Sequence, residues 1–206
     1  SFTRPDIAEA VSRLCRHMSA PTERNWTRAK RVLRYLKGTA GLGLTLGGTG
    51  KLHVVFYSDA SWAGDTATRK STSGYIGLIN GCAVTWKSML QALIALSTAE
   101  SEYIALAEAI KEVLFSRNLF TGFKIPISDA TTVYEDNQAA IAMASNPMTS
   151  KRSKHIDIRY HFIRHEVAAG SVSLIYCPTD KMLADALTKP LSADQFELLR
   201  RQYMNG

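Results

Sequence analysis

The chain of 206 residues is long enough for one domain with an added segment, or for two small domains. Its composition, 46% hydrophobic and 21% charged, supports a buried core and excludes a disordered chain, and no apolar run approaches the length of a membrane span. The net charge of +7 favours a polyanionic partner over a membrane, and three separated cysteines favour a reducing, cytoplasmic location without a disulfide framework or zinc site.

The N-terminal segment, residues 1–40, carries +6 of the net charge and is predicted to form two helices. Pro21 marks the beginning of the second helix and Gly38 its end. Each helix has an apolar stripe, and two helices cannot bury both stripes by themselves. We therefore expect them to pack on the rest of the chain or on another segment. We assign residues 1–47 as a helical tether, 48–190 as the main domain and 191–206 as a C-terminal helix.

The spacing of apolar residues changes from a helical to a mainly strand-like pattern after the glycine-rich stretch at 41–50. The dipeptide Asn80-Gly81 between two apolar runs is a strong hairpin signal. Three strands in succession, followed by strands alternating with helices, predict an α/β fold with a mixed sheet flanked by helices. The predicted strands are 52–58, 74–79, 82–86, 131–135 and 172–176, and the predicted helices are 97–119, 137–144, 155–169, 182–188 and 193–203.

Four carboxylates fall where this order brings chain segments together: Asp59, Glu102, Asp136 and Asp185. Singly, Asp59 could begin a turn, Asp136 could cap a helix and Asp185 could be a solvated helix residue. Together, with no His or Cys partner, they favour hard cations bound by oxygen, namely two Mg²⁺ with Mn²⁺ as a substitute. Two such ions about 4 Å apart activate a water and stabilise the leaving oxygen of a phosphodiester.

The long helix contains two neighbouring glutamates with different predicted roles. Ser97 and Glu100 form a capping box, in which Glu100 reaches back to the Ser97 amide. Glu102 instead shares a face with the apolar residues that must turn towards the sheet, whereas Glu108 and Glu112 fall on the opposite, solvent side. A carboxylate directed at the core is costly without a compensating cation or proton, so Glu102 is a functional candidate.

Seven short motifs occur in order along the chain: TRPDI at 3–7, RVLRYLKGT at 31–39, SDASWAG at 58–64, RKSTSGY at 69–75, EDNQ at 135–138, KHID at 154–157 and ADALTKP at 184–190. In these motifs the sequence resembles the RNase H domain, with its upstream tether, of copia-type LTR retrotransposon Pol polyproteins. The resemblance implies a five-stranded sheet ordered 3-2-1-4-5 with the first three strands antiparallel. It also implies two-metal hydrolysis of the RNA strand of an RNA/DNA hybrid on Asp59, Glu102, Asp136 and Asp185, in a protein that also contains a reverse transcriptase and is housed in a cytoplasmic virus-like particle.

One departure concerns the loop before the last acidic residue. Many relatives outside the retrotransposons have a catalytic His there, and residues 177–181 contain none. The copia-type pattern generally lacks it too, so we expect an active endoribonuclease. The alternative is a weakly active or inactive module that binds hybrid or supports reverse transcriptase assembly.

Substrate contacts are expected from basic and helix-start positions, since phosphate binding needs positive charge and little geometric precision. A solvated basic face is an equally good interpretation of the stretch from 151 to 155. His155 is favoured within that stretch because it belongs to a family motif. The candidate substrate-binding residues are Arg69, Lys70, Thr98, Asn137, Lys151, Arg152, Lys154 and His155.

Overall fold

The computed structural model describes residues 2–47, 52–127, 129–145 and 154–204, with side chains from residue 158 onward in the last range. No helix in these ranges has the length and apolarity needed to cross a membrane. The elements are a 3₁₀ turn at Pro5–Ile7 leading into α1 (Ala8–Cys15), α2 (Glu23–Gly38), β1 (Val54–Ser61), β2 (Thr72–Ile79), β3 (Cys82–Leu90), α3 (Thr98–Gly122), β4 (Thr131–Glu135), α4 (Gln138–Ser145), α5 (Lys154–Ala168), β5 (Val172–Tyr176), 3₁₀ turns at Thr179–Lys181 and Leu183–Leu187, and α6 (Ala193–Arg200).

The sheet has the predicted order, β3-β2-β1-β4-β5. Strands β1, β2 and β3 form an antiparallel meander, and β4 pairs in parallel with both β1 and β5. The hairpin between β2 and β3 turns at Asn80 and Gly81, both with positive φ, which is the backbone that this dipeptide favours. The prediction of an α/β fold with this mixed sheet is therefore confirmed.

Strand β1 runs three residues further than predicted, to Ser61. Asp59 consequently lies inside the strand, opposite Gly74 of β2, and does not begin a turn. The extra pairs arise because β2 also begins earlier than predicted, at Thr72, and continues the antiparallel ladder.

Apolar residues cover both faces of the sheet. On one face α3 packs over β1 and α5 packs on α3 and β5, and Phe56, Ile110 and Val133 belong to the buried cluster of this face. On the other face the chain around Leu183 and Leu199 packs over β1 and β2. Both faces of the central strand β1 are thus shielded from water, which is the environment in which a carboxylate on β1 becomes expensive.

Glu112 corrects the predicted orientation of α3. Its carboxylate accepts hydrogen bonds from the Tyr75 hydroxyl at 3.1 Å and from the Thr85 hydroxyl at 2.9 Å, so it faces the sheet and not solvent. The two hydroxyl donors belong to β2 and β3 and stabilise the charge of the Glu112 carboxylate. Helical periodicity alone cannot predict such contacts with other elements. Glu108 pairs instead with Lys111 at 2.7 Å.

The N-terminal helices pack directly on the sheet domain. Ala8 is buried in the same apolar cluster as Leu199. The buried carboxylate of Asp6 accepts from Arg4 at 2.8 Å and from the Tyr35 hydroxyl at 2.7 Å, and Arg200 of α6 donates to that hydroxyl at 3.0 Å. Polar and apolar contacts therefore join α1, α2 and α6.

The predicted helix at 182–188 is a 3₁₀ turn, Leu183–Leu187, after a second turn at Thr179–Lys181. Its bonds run three residues back, for example from the Asp185 amide to the Met182 carbonyl at 3.2 Å. Pro190 limits how far this turn can extend, because a helix continued through the proline would bring its ring against the carbonyl of Ala186. The last helix also ends earlier than predicted, at Arg200.

Candidate active site

Two strands bring the first pair of carboxylates together. Asp59 lies in β1, and Asp136 follows the last residue of β4, Glu135, which pairs with Ser58 of β1. Because β1 and β4 are parallel neighbours, Asp59 and Asp136 each stand one residue beyond this pair. Asp59 is 1% exposed. Asp136 is half-buried and accepts a hydrogen bond from the Thr179 hydroxyl at 2.8 Å.

The N-terminal end of α3 supplies the third carboxylate. The Ser97 hydroxyl accepts the Glu100 amide at 3.1 Å, as the capping box predicts. Glu100 reaches back one residue further than predicted, accepting from the Leu96 amide at 3.0 Å. Glu102, in the next turn, is 3% exposed and accepts a backbone hydrogen bond from Ala60 of β1. The cap and this contact fix Glu102 above β1, beside Asp59.

Asp59, Glu102 and Asp136 converge on one point, with a carboxylate oxygen of each within 4.8 Å of the others. Asp185, on the turn Leu183–Leu187, is buried next to Asp59 but does not join that group among the described residues. One of its oxygens pairs with the Lys189 ammonium at 2.8 Å. The structure thus brings three of the four candidates into one cluster and places the fourth beside it.

Thr188 joins the turn to β1. Its buried hydroxyl donates a hydrogen bond to Asp59. The approach is close enough that a Cβ on Gly74, the β2 partner of Asp59, would lie 2.7 Å from the Thr188 methyl and 2.9 Å from the Leu187 Cβ. Gly74 is therefore needed where the turn presses on β2, and it lets Thr188 reach the acidic cluster.

Burial and mutual repulsion make the cluster unfavourable as a set of anions. Burial first, and then the charge of Asp185, raises the pKa of Asp59 to about 7. Burial and the neighbouring Glu135 raise the pKa of Glu102 to about 11. Burial lowers the pKa of Lys189, but the charges of Asp59 and Asp185 outweigh that effect and raise it overall. Such a site gains most from bound positive charge.

The donor set fits hard divalent cations. All the converging atoms are carboxylate oxygens, which Mg²⁺ and Mn²⁺ accept, and no His or Cys contributes to this cluster. Buried Oε2 atoms of Glu102 and Glu135 have no hydrogen-bond partner, which is costly unless another group binds them. Asp59, Glu102 and Asp136 would hold the ions most directly, with Asp185 adjoining.

Sequence reasoning did not single out Glu135, Thr179, Thr188 or Lys189. Glu135 is a fifth carboxylate, fully buried behind Asp136, and it accepts the Asn137 amide at 3.2 Å. Burial raises its pKa well above the ordinary value. Strand periodicity carried a signal for it, since Glu135 shares its face of β4 with buried Thr131 and Val133. Thr179 and Thr188 contact the site through turns whose positions are fixed only in three dimensions, whereas Lys189 lies four residues after Asp185, a spacing that can pair side chains on a helix.

The candidate substrate-binding residues divide into three groups. Arg69 and Thr98 are exposed and Lys70 is half-buried, so these side chains are accessible to a ligand. Asn137 caps α4, its side-chain oxygen accepting the Ala140 amide at 3.0 Å, and this is the capping role considered for Asp136. Lys151 and Arg152 lie outside the described residues, as do the side chains of Lys154 and His155 at the beginning of α5.

Together, the strand order and the acidic cluster define an α/β domain of the RNase H-like fold. No family model matches the chain. The Retrovirus-related Pol polyprotein from transposon RE2 of Arabidopsis thaliana is 41% identical over 98% of this chain and 14% of that protein. The corresponding polyprotein from transposon TNT 1-94 of Nicotiana tabacum is 40% identical over 96% of this chain and 15% of that protein.

The chain belongs to the family of copia-type retrotransposon Pol polyproteins, and it spans 14–15% of the length of these two relatives. Among solved structures, LC11-RNase H1 in complex with RNA/DNA hybrid aligns with a TM-score of 0.49 and 15% identity, covering 66% of this chain and 93% of that one. By sequence the domain is accordingly similar to one part of retrotransposon Pol polyproteins, and by its own topology it has the RNase H-like fold.

Proposed function

We propose that this domain is an endoribonuclease that hydrolyses the RNA strand of RNA/DNA hybrids within a reverse transcriptase polyprotein. The observation that carries the proposal is the convergence of Asp59, Glu102 and Asp136 within 4.8 Å, with Asp185 beside them. Two Mg²⁺ ions, or Mn²⁺ in their place, would be held by these carboxylates. When bound, the ions supply activation of the attacking water and stabilisation of the leaving oxygen.

The protein's own groups prepare this site in three ways. Thr188 and the Ala60 amide orient Asp59 and Glu102 by hydrogen bonds before any ligand arrives. Asp59, Glu102 and Asp185 are buried, so these carboxylates would hold cations in a medium of lower dielectric than water, where charges interact more strongly. Thr179, from the loop that lacks a His, holds Asp136 and links that loop to the site.

The partners proposed for the domain follow from family membership. The reverse transcriptase part of the same polyprotein would deliver the hybrid, and the helices α1 and α2 would connect the two. Exposed Arg69 and half-buried Lys70 would contact the phosphate backbone, with Thr98 at the beginning of α3 as a further contact. We also propose a cytoplasmic, virus-like-particle location for the assembled polyprotein.

The test is a cleavage assay on the full chain with a hybrid labelled on its RNA strand, in Mg²⁺ and separately in Mn²⁺. We expect cleavage that leaves 5′-phosphate ends, disappears with EDTA and disappears in Asp59→Asn. Asp180→Asn, an exposed carboxylate outside the cluster, is the matched control and should retain activity. Absence of metal-dependent RNA cleavage refutes the enzymatic proposal. Hybrid binding without cleavage supports the binding module instead, and cleavage of duplex DNA indicates a different nuclease.

A further inference from the structure

Lys189 places a positive charge inside the acidic site. Its Nζ lies 2.8 Å from Oδ1 of Asp185, four residues earlier, and its side chain is 34% exposed. The preceding residue, Thr188, donates to Asp59. Two consecutive side chains therefore contact two different carboxylates of the site, one through a hydroxyl and one through an ammonium.

This ion pair distinguishes Asp185 from the other three carboxylates of the site. Asp59, Glu102 and Asp136 share a point of convergence, whereas Asp185 neighbours Asp59 and has one oxygen on the ammonium. An ammonium and a divalent cation are alternative partners for the same carboxylate oxygen. Each also repels the other, and at separations of a few ångström inside a protein that repulsion is substantial.

We propose that Lys189 is the internal counter-ion of Asp185 and opposes occupation of that carboxylate by a divalent cation. Asp185 then enters the ligand set only when the incoming ion displaces or outcompetes the ammonium, so Lys189 sets the ion concentration at which the site fills. This proposal rests on the proposed function, since it concerns the same metal site, and it adds a positioning residue that regulates its loading.

The experiment is calorimetric titration of the full chain with Mg²⁺ and with Mn²⁺, without nucleic acid. Lys189→Met keeps the length of the side chain and removes its charge, and Lys189→Arg keeps the charge. Lys181→Met, an exposed lysine four residues before Asp185, is the matched control for loss of one positive charge nearby. Urea denaturation checks that every variant is folded at the temperature of the titration.

In each titration we expect the more weakly bound of the two ions in the site to bind Lys189→Met about tenfold more tightly than it binds the unaltered chain. This is the effect of removing one like charge at this range. Lys189→Arg should bind within about twofold of the unaltered chain, and so should Lys181→Met, whose charge does not contact Asp185. Unchanged or weaker ion binding in Lys189→Met overturns the proposal, because Lys189 would then only hold Asp185 in place. An equal gain in ion affinity in Lys181→Met also overturns it, because the effect would then come from the net charge of the protein and not from the contact with Asp185.

Two outcomes separate this inference from the proposed function. If the unaltered chain binds the ions and cleaves hybrid, but Lys189→Met titrates identically, the counter-ion inference fails and the nuclease stands. If neither the unaltered chain nor Lys189→Met binds an ion, both proposals fail together.

Discussion

Replacing Asp59 by Asn should change the pH dependence of folding stability in the absence of metal. Asn keeps nearly the same shape and removes the ionisable group that is 1% exposed at the centre of the site. Burial and the charge of Asp185 raise the pKa of Asp59 from 3.8 to about 7. In the unfolded chain the same group returns to its ordinary pKa, so its protonation is coupled to folding.

The magnitude follows from this difference in pKa. Between about pH 4 and pH 7 the folded protein holds one more proton at Asp59 than the unfolded chain holds. The free energy of unfolding therefore falls as pH rises through this window, by about 1.4 kcal/mol per pH unit, and levels off above it. The loss over the whole window amounts to about 4 kcal/mol, a large part of the stability of a typical domain.

The assay is urea denaturation from pH 4.5 to 8.5, in EDTA and then in Mg²⁺. The stability difference between the unaltered chain and Asp59→Asn should be small at pH 4.5 and should favour Asp59→Asn increasingly up to about pH 7. Mg²⁺ should stabilise the unaltered chain most above pH 7, where the carboxylate is ionised, and should stabilise Asp59→Asn less. Parallel pH profiles for the two proteins in EDTA would refute the reasoning.

Three further substitutions test features that support the site. Gly74→Ala should destabilise the protein by about 1–3 kcal/mol in urea and weaken ion binding in calorimetry, because its Cβ would push on the Thr188 turn, whereas Gly43→Ala, with no heavy atom within 4 Å, should not. Tyr35→Phe should cost about 1–3 kcal/mol in thermal or urea unfolding, because buried Asp6 and Arg200 each lose a hydrogen bond; an unchanged midpoint would contradict this. Ser97→Ala should cost about 1 kcal/mol, measured in the same way, and a loss that Ser97→Asp also shows would exclude the capping role.

The parts of the fold that the sequence predicts are those governed by local pattern. The Asn80-Gly81 hairpin has a turn signal, β4 has the alternation of a strand, and the long helix α3 begins at a capping box; each of these elements is present. The resemblance to the family supplied the strand order, which the parallel pairing of β1 with β4 confirms. Boundaries were less predictable, since β1 and β2 lengthen each other through pairing that neither strand specifies alone.

The same distinction between local pattern and contacts with other elements applies to the residues of the candidate site. Helical periodicity predicted that Glu102 faces the core, and it is buried there. The same periodicity failed for Glu112, because its hydroxyl donors come from other strands. The pairing of Lys189 with Asp185 has the i, i+4 spacing typical of helical ion pairs, so a sequence signal for it existed and was not used. The sequence pattern also did not distinguish the 3₁₀ turn at Leu183–Leu187 from an α-helix. Whether these groups act as proposed stays a prediction for the assays above.

The hydrogen bond between Arg200 and Tyr35 joins residues 165 positions apart. During synthesis the N-terminal helices emerge before their partner α6, whose Arg200 lies 165 residues after Tyr35. Ala8 and Tyr35 therefore remain without their α6 contacts on the ribosome until the last turn of the domain has been made. Contacts of such long sequence separation form slowly, because the chain entropy is lost in closing the loop before the contacts contribute any stabilising free energy. Completion of this domain is thus expected to wait until α6 has left the ribosome.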